Sequence, residues 1–339
     1  MKIMVTGSEG FIAGYLVQNL LNEGHEVVGI DNFSKYGVIE RSYSNNPNYK
    51  LIQANVCDTD IIFENLKDCD HLVAAAAKIG GISYFHEYAY DLMAENERIM
   101  ASTFDAAIKA HENHKLQKIT VLSSSMVYEN TNQYPTPEGD QLLSPPPFST
   151  YGFQKLAAEY FAKGAWEQYK LPFTIARPFN CIGIGEGRAL GDVEIKSGNV
   201  KLAMSHVVPD IIQKIIKGQN PLHILGNGKQ IRHYTYGGDL AEGIRLCIEH
   251  PKALNEDFNL STAKATSVLE LSKIIWDKIK PNEEFNFVCD DPFEHDVQKR
   301  SPDVSKAKKI LNFEAVTTLE DSLDEIIPWV KQQVEKGLI

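Results

Sequence analysis

The chain has 339 residues, of which 43% are hydrophobic and 23% are charged, and its formal net charge is −11. These proportions are typical of globular proteins and exclude disordered and fibrous classes, while the length predicts one large or two medium domains. The negative charge argues against nucleic-acid binding, and the five widely spaced cysteines predict reduced thiols and no zinc site. No apolar stretch is long enough to span a bilayer, so we expect a cytoplasmic protein with no metal and no membrane contact.

Short apolar runs alternate with amphipathic segments through the first half of the chain. This alternation is typical of a parallel sheet that is covered by helices on both faces. Strands are predicted at Lys2–Thr6, Glu26–Ile30, Lys50–Ala54, His71–Ala75, Lys118–Ser123 and Phe173–Arg177. We therefore predict a Rossmann-like, doubly wound α/β fold whose ligand lies at the carboxyl ends of the strands.

The alternation becomes irregular after Arg177, where a second, smaller C-terminal α/β lobe is expected to begin. Its predicted features are a glycine-rich loop at Gly183–Gly198, a helix at Val208–Lys217, a hairpin at Leu222–Tyr236 and helices at Val268–Ile279 and Leu319–Lys336. A loop of that length near a site can serve as a lid. We assign residues 1–178 and about 231–260 to a dinucleotide-binding domain, and residues from about 179 to 230 and 261–339 to a substrate lobe.

A glycine turn follows the first strand directly, with the sequence Gly7-Ser8-Glu9-Gly10-Phe11-Ile12-Ala13. Gly7 permits a tight turn, Gly10 lets the backbone approach a pyrophosphate, and the small Ala13 allows close packing of helix on strand. The amide groups at the start of the helix would then hold the anion. Such turns also occur without a ligand, so the interpretation depends on the residues that follow.

The second predicted strand leads to Asp31, about twenty residues beyond the glycine turn, which is the spacing expected of a ribose-binding acid. A carboxylate here accepts hydrogen bonds from both ribose hydroxyls and repels a 2′-phosphate, which favours NAD over NADP. The alternative is a capping or turn role for Asp31. The nearest arginine, Arg41, lies ten residues on, so its position makes it a poor partner for a phosphate.

The most specific pattern is the serine-rich run Ser123–Tyr128 at a predicted strand end, followed by Tyr151 and Lys155 on a predicted helix. Their spacing puts both side chains on one helix face. We expect the ammonium group to favour the phenolate and to lower the pKa of Tyr151 from about 10 toward neutrality. Tyr151 could then act as general base on a sugar hydroxyl that Ser124 orients, while NAD accepts hydride. Chance proximity of a tyrosine and a lysine is the alternative.

These motifs together resemble the extended short-chain dehydrogenases that act on nucleotide sugars, the NAD-dependent epimerase/dehydratase family. The matching segments are Gly7–Ala13, Asp31-Asn32, Ala74–Lys78, Asn96, Ser123–Tyr128, Tyr151–Lys155, Arg177–Asn180, Gly226–Arg232, Arg300–Asp303 and Lys306-Ala307. The resemblance implies NAD as cofactor, a nucleotide-diphosphate sugar as substrate and a homodimer formed through two helices of each subunit. One is the helix of Tyr151, on which Ala157, Ala158, Phe161 and Ala162 form either the dimer face or a face buried within the chain.

The motifs and the resemblance define three sets of site residues. The catalytic residues are Ser124, Tyr151 and Lys155. The cofactor-binding residues are Gly7, Gly10, Phe11, Ile12, Asp31, Asn32, Asn55, Val56, Ala75, Ala76, Lys78, Asn96, Ser123, Tyr151 and Lys155. The substrate-binding residues are Ser125, Met126, Asn180, His206, Val207, Arg232 and Arg300. By the resemblance, Asn180 and Arg232 contact the diphosphate, with Arg300 nearby. A guanidinium suits that group, and a surface salt bridge is the alternative for both arginines.

Several residues depart from the pattern of the family. In its 4,6-dehydratases the two residues after the catalytic serine or threonine are Asp-Glu, and its decarboxylases favour glutamate at the second position. Here they are Ser125 and Met126, and a thioether neither donates nor accepts a catalytic proton, so both activities are disfavoured. Asn55 replaces a usual aspartate near the adenine, although its amide oxygen can still accept a hydrogen bond.

A second branch of the family, similar to GDP-fucose synthases, shares the run Ala76–Ile82 and the segment His206–Pro209. That branch uses a cysteine where Met126 stands, together with the histidine, for inversion at C3 and C5. Met126 therefore argues against such inversion. His206 can position the sugar or its phosphate, and a packed or exposed structural histidine is an equal alternative.

The leading hypothesis is an NAD-dependent epimerase that inverts C4 of a nucleotide sugar through a transient 4-keto sugar. The alternative is an NAD-dependent 4-dehydrogenase or keto-sugar reductase, which consumes the cofactor. A non-catalytic NAD-sensing protein is disfavoured because the catalytic motif is intact, and a small-alcohol dehydrogenase would not need the second lobe with Arg232 and Arg300. The sequence identifies neither the base nor the sugar.

Overall fold

Strands and helices alternate along the part of the chain that the computed structural model describes, residues 1–79, 88–190, 195–202, 206–292 and 297–339. The strands are β1 (Lys2–Thr6), β2 (Glu26–Asp31), β3 (Tyr49–Gln53), β4 (His71–Ala74), β5 (Lys118–Leu122), β6 (Phe173–Pro178), β7 (Cys181–Ile182), β8 (Ile195–Ser197), β9 (Val200–Leu202), β10 (Leu222–Leu225), β11 (Ile231–Arg232), β12 (Thr235–Tyr236), β13 (Glu256–Leu260), β14 (Thr266–Ser267) and β15 (Phe287–Asp290). The α-helices are α1 (Phe11–Asn22), α2 (Thr59–Leu66), α3 (Ala89–Asn113), α4 (Thr150–Tyr169), α5 (Val207–Ile216), α6 (Gly237–Glu249), α7 (Val268–Ile279), α8 (Ser305–Leu311) and α9 (Leu319–Glu335). Short 3₁₀ helices lie at Ser125–Tyr128, Asp140–Leu142 and Pro251–Ala253.

Seven parallel strands form the central sheet in the order β13-β6-β5-β4-β1-β2-β3. Strand β5 and strand β6 are buried along their whole length, because helices cover both faces of the sheet. The predicted doubly wound fold is confirmed, and each predicted strand is correct to within one residue at either end. The chain changes direction across the sheet between β1 and β4, which is where such folds bind ligands.

Two hydrophobic cores lie on opposite faces of this sheet. On one face, α2, α3 and α4 pack through residues such as Leu66, Phe104 and Ala162. On the other, α1 and α6 pack together with Leu311 of α8. The division of the chain into two domains remains a prediction, and this packing places part of segment 261–339 beside the sheet.

A third core forms the smaller lobe from α5, β10, α7 and α9, with the fully buried Trp276 at its centre. The predicted hairpin at Leu222–Tyr236 is wrong. Strand β10 pairs in parallel with β15, β11 pairs with β14, and β12 pairs with β7, so each part of the segment finds a distant partner. The glycine-rich loop is also more structured than predicted, since β8 and β9 form an antiparallel pair and residues 191–194 lie outside the described residues.

A buried ion-pair network joins β6 and β13, the neighbouring strands at one edge of the sheet, to α4. Arg177 of β6 donates to both carboxylate oxygens of Glu159, from Nε at 2.6 Å and from Nη2 at 2.8 Å. Its Nη1 lies 2.7 Å from a carboxylate oxygen of Asp257 on β13. Glu159 also accepts hydrogen bonds from the Ser123 hydroxyl and from Gln141. The hydrogen bond from Ser123 therefore connects the serine-rich run to this buried network.

The residues of α4 that were considered for a dimer face fit the other alternative, a face that packs within the chain. Ala158 and Ala162 are buried within the chain, and Phe161 stacks on Phe104 of α3. Phe153 and Tyr160, seven residues apart on the other side of the helix, are exposed. None of the described helices combines the length and the apolar character that a membrane span requires.

Candidate active site

One cavity of about 1410 Å³ lies at the carboxyl ends of the strands and extends into the smaller lobe. With one exception, every residue in the three predicted sets lines this cavity. The exception is Asn96, which is buried behind the wall. Its side-chain amide accepts a hydrogen bond from the Lys78 backbone N–H at 2.7 Å and donates to the Lys78 carbonyl at 2.9 Å. Asn96 therefore holds the loop that follows β4 and does not face the cavity. Gly80–Ile82 of the shared run lie outside the described residues.

The glycine turn fits a dinucleotide because a side chain would fill its concave surface. Gly7 has a φ of +68°, and a Cβ atom at this position would lie 2.8 Å from Cα of Ala76. Gly10 caps α1 without any side-chain hydrogen bond, so the first amide groups of the helix are available to a phosphate. Thr6 fixes the opposite wall, since its hydroxyl accepts hydrogen bonds from the backbone N–H groups of Ala75 and Ala76 at 3.1 Å.

Replacement of Gly7 by alanine is expected to weaken NAD binding at least about tenfold, because the methyl group forces the wall at Ala76 away from the turn. Gly24→Ala is the matched control, since Gly24 also has a positive φ (+79°) but has no atom within 4 Å of the added carbon. Calorimetric titration of both variants with NAD measures the effect. Equal NAD affinity for Gly7→Ala and Gly24→Ala would contradict this assignment of the turn.

Asp31 lies at the end of β2, where its carboxylate has the turn role considered for it and also lines the cavity, as the predicted ribose-binding role requires. Its carboxylate accepts hydrogen bonds from the backbone N–H groups of Glu9 at 3.0 Å and Phe33 at 2.7 Å, which fixes its orientation at the cavity. Arg41 lies closer to the glycine turn than its place in the sequence suggests. Its guanidinium donates to the Glu9 carbonyl and its Nε lies 3.7 Å from the Glu9 carboxylate, so this charge is engaged with the protein. The amide oxygen of Asn55 accepts a hydrogen bond from the backbone N–H of Cys57 at 2.9 Å.

The catalytic residues meet at the carboxyl end of β5. Tyr151 begins the first turn of α4, whose N-cap Ser149 accepts a hydrogen bond from Gly152. The Tyr151 hydroxyl is hydrogen-bonded to Ser124. Lys155, one turn further on, is buried, and its ammonium group donates to the carbonyl of Leu122 at 2.9 Å. The structure thus brings the predicted triad together at one wall of the cavity.

The expected lowering of the Tyr151 pKa is wrong. Burial raises the pKa of Tyr151, and the hydrogen bond from Ser124 and the charge of Arg300 offset only part of that effect. The Lys155 ammonium is turned to the Leu122 carbonyl, and burial lowers the pKa of Lys155 to about 8. Arg300 is therefore a cation that favours ionisation of Tyr151, a role that the sequence motifs did not reveal.

The part of the cavity next to the smaller lobe, here called the substrate half after the sequence prediction, contains both predicted arginines. Ile231 pairs with Lys299, and this bridge brings Arg232 and Arg300, the next residues, close to Tyr234. Burial raises the pKa of Tyr234, and the two positive charges offset part of that increase. The Tyr234 hydroxyl is buried at the cavity and has no hydrogen-bond partner among the described residues, and the same is true of the Asn180 amide oxygen. Such orphaned polar atoms are expected where a polar ligand binds. Tyr234 lies between β11 and β12 and belongs to none of the motifs used in the sequence analysis, so it was not predicted.

Ser125 and Met126 line the cavity from the 3₁₀ helix that follows β5. Both are buried, and neither supplies the carboxyl group that the resemblance leads one to expect at these positions in a dehydratase. His206 is the N-cap residue of α5 and Val207 its first residue. His206 Nδ1 lies 3.2 Å from a carboxylate oxygen of Glu186, a cavity residue that sequence reasoning missed.

Comparison with known proteins agrees with this geometry. The sequence profile described as "NAD dependent epimerase/dehydratase family" matches residues 3–261. A protein of Bacillus subtilis described as an uncharacterized UDP-glucose epimerase is 27% identical, over 97% of this chain and 98% of its own length. The structure of Thermotoga maritima UDP-glucose 4-epimerase with UDP-glucose is similar at a TM-score of 0.82 and 25% identity, covering 98% of this chain and 100% of that one. The structure of Bacillus cereus UDP-glucuronic acid 4-epimerase with UDP-glucuronic acid and NAD gives a TM-score of 0.80 at 25% identity, over 98% and 99% of the two chains. UDP-glucuronic acid decarboxylases and dTDP-glucose 4,6-dehydratases also match.

Proposed function

Because the chain belongs to the NAD-dependent epimerase/dehydratase family, we propose that it inverts C4 of a UDP-linked sugar. It is an NAD-dependent nucleotide-sugar enzyme, as the sequence predicted. The observation that carries the proposal is the hydrogen bond between the Tyr151 hydroxyl and Ser124 inside a cavity that also contains the glycine turn and the two arginines. One cavity can therefore hold the cofactor and the sugar against the same tyrosine.

In the proposed reaction, Tyr151 removes the proton of the sugar 4-hydroxyl, and Ser124 orients that hydroxyl by a hydrogen bond. The glycine turn and Asp31 would hold NAD, which would supply the acceptor for the hydride of C4 and the donor for its return to the other face of the sugar. Arg300 favours the tyrosinate through its positive charge. Tyr151 then returns the proton to the oxygen at C4, so the enzyme ends each turnover unchanged.

Ser125 and Met126 support epimerisation over elimination of water or loss of a carboxyl group. By the resemblance, the dehydratases carry Asp-Glu at these two positions and the decarboxylases favour glutamate at the second. Neither residue here is a carboxylic acid, and the Met126 thioether neither donates nor accepts a catalytic proton. The similarity to 4-epimerases over nearly the whole chain supports the same choice and favours UDP as the nucleotide.

A reaction that regenerates its cofactor needs the cofactor to stay bound. Residues 183–190, here called the bridging segment, connect the two halves of the cavity. The N–H of Leu190 donates to the carbonyl of Lys35 at 2.6 Å, and the N–H of Ile184 donates to the Tyr15 hydroxyl at 2.8 Å. These bonds tie the segment to the loop and helix that flank the dinucleotide, which favours an epimerase over a dehydrogenase that exchanges NAD for NADH.

The experiment is to incubate the purified protein with UDP-glucose, UDP-N-acetylglucosamine and UDP-glucuronic acid, each followed by NMR and by absorbance of reduced nicotinamide. GDP-, dTDP- and CDP-sugars serve as competing candidates. The proposal expects a 4-epimer from at least one UDP-sugar without accumulation of NADH. A keto product with stoichiometric NADH would establish the dehydrogenase instead.

We also propose that two copies pair through α3 and α4. Phe153 and Tyr160 on the outward side of α4 are exposed apolar side chains that a second copy would cover. Sedimentation of the wild type and of the Phe153→Ser and Tyr160→Ser variants tests this pairing.

A further inference from the structure

We infer that Glu186 is a positioning residue for substrate binding, which acts by orienting His206 toward the nucleotide sugar. This inference rests on the proposed function, because it assigns Glu186 to the same substrate cavity. Glu186 belongs to the bridging segment, which sequence motifs described only as a loop. His206 begins the helix that lines the opposite side of the substrate half.

The bridging segment holds Glu186 in a fixed place. Its two backbone hydrogen bonds, to Lys35 and Tyr15, anchor it at both ends. Between them, Gly185 adopts a φ of +89°, and a Cβ atom there would lie 3.2 Å from Nη1 of Arg41. The segment therefore fits closely against the cofactor half, and the carboxylate that follows Gly185 projects from a rigid support.

The contact between Glu186 and His206 explains how a buried carboxylate is accommodated. Glu186 is 7% exposed, and a carboxylate that is largely removed from water needs a partner to compensate for its lost hydration. His206 Nδ1 lies 3.2 Å from its Oε1 and provides the partner. When Nδ1 donates to the carboxylate, the ring is fixed in orientation, and Nε2 is the nitrogen that can reach a ligand in the cavity.

Other ionisable groups lie near the pair of Glu186 and His206, and two of them, Asp210 and Cys181, cannot compensate the charge of the carboxylate. Asp210, one turn into α5, interacts electrostatically with Glu186 and with Lys214, and burial raises the pKa of the Asp210 carboxyl well above its usual range. Glu186 also raises the pKa of the nearby Cys181 thiol, although burial is the larger cause. The carboxylate thus faces a second acid and a thiol, and His206 is the positively ionisable group paired with it among the described residues.

The position of His206 connects this pair to the substrate. It lies at the N-terminus of α5, where backbone N–H groups also point outward, and 43% of its side chain is exposed at the cavity. A ring held there donates to or accepts from an oxygen of the nucleotide sugar. Loss of Glu186 frees the ring to rotate, so affinity for the substrate falls while the chemistry at Tyr151 is little affected.

The test is a double-mutant cycle on the NAD-loaded protein, with UDP-glucose binding measured by calorimetry. Glu186→Gln and His206→Gln are each expected to weaken binding about tenfold, the effect of a hydrogen bond to a charged group. The double variant is expected to bind no more weakly than His206→Gln alone. Glu186→Asp keeps the carboxylate and should recover most of the affinity. Glu284→Gln removes an exposed carboxylate outside the cavity and serves as the control for charge.

Additive losses in the cycle, or wild-type affinity for Glu186→Gln, would overturn the inference. Steady-state kinetics give a second readout, because a positioning role raises KM more than it lowers kcat. NAD content and melting temperature show whether Glu186→Gln is still folded. If it is not, Glu186→Asp is compared with the wild type in its place. If the wild type binds no UDP-glucose or any other nucleotide sugar, the proposed function fails, whereas binding with an additive cycle contradicts the role of Glu186 alone.

Discussion

Replacement of Tyr151 by phenylalanine is expected to lower kcat by about 10³-fold, within the range that general acid–base catalysis contributes. The phenyl ring keeps the packing of a side chain that is buried at the cavity wall, so only the proton-transfer group is removed. Ser124 would lose its hydrogen bond to Tyr151 but keep the one from the Met126 N–H. NAD and the nucleotide sugar should bind with affinities within about threefold of the wild type, since other residues hold both. Steady-state kinetics and calorimetry on the same preparation separate the two effects.

Tyr160→Phe is the matched control for this prediction. Tyr160 lies on the same helix but its side chain is exposed on the outward face, away from the cavity. Removal of its hydroxyl should leave kcat unchanged. A Tyr151→Phe enzyme with more than a tenth of the wild-type kcat would show that another group moves the proton.

Replacement of Arg177 by methionine is expected to destabilise the folded protein by about 3–5 kcal/mol, the usual effect of removing one partner of a buried ion pair. Glu159 is fully buried and would lose both of its bonds to the guanidinium. Asp257 would lose the partner that lies 2.7 Å away. Because Ser123 donates to Glu159, the serine-rich run should also loosen and kcat should fall. Denaturant unfolding followed by circular dichroism measures the free energy.

Arg98→Met provides the control for loss of an arginine. Arg98 is exposed and lies 3.8 Å from Glu95 on the same helix, a surface pair that contributes at most about 1 kcal/mol. If Arg177→Met does not fold, Arg177→Lys keeps a positive charge with fewer donors and should show an intermediate loss. A free energy of unfolding for Arg177→Lys equal to that of the wild type would contradict a structural role for the bidentate pair.

The central fold was predictable because parallel strands that are buried on both faces have continuous apolar sequences. Strand β13 was missed, since its sequence begins with Glu256 and Asp257 and resembles a surface turn. These acids are accommodated by Lys306 and Arg177, which approach from distant parts of the chain. The segment Leu222–Tyr236 was wrongly predicted to form a hairpin, because a local pattern does not reveal that β10 pairs with the distant β15.

The candidate site was predictable where short motifs fix both sequence and geometry. Gly7, Asp31, Tyr151 and Lys155 belong to such motifs, and the structure brings them to one cavity. Glu186 lies in a segment without periodicity, and only the fold brings it to His206. The direction of the Tyr151 pKa shift could not be predicted from the sequence either, because the spacing of residues along a helix does not show how deeply a side chain is buried.

The measurement that tests the proposed C4 chemistry most directly uses the UDP-sugar that the enzyme converts, labelled with deuterium at C4. A reaction through a transient 4-keto sugar moves the label to the cofactor and returns it to the same carbon. We therefore expect NMR to find the 4-epimer with deuterium retained at C4 and no accumulation of NADH. Exchange of the label with water, or stoichiometric reduced cofactor with a 4-keto product, would contradict the account.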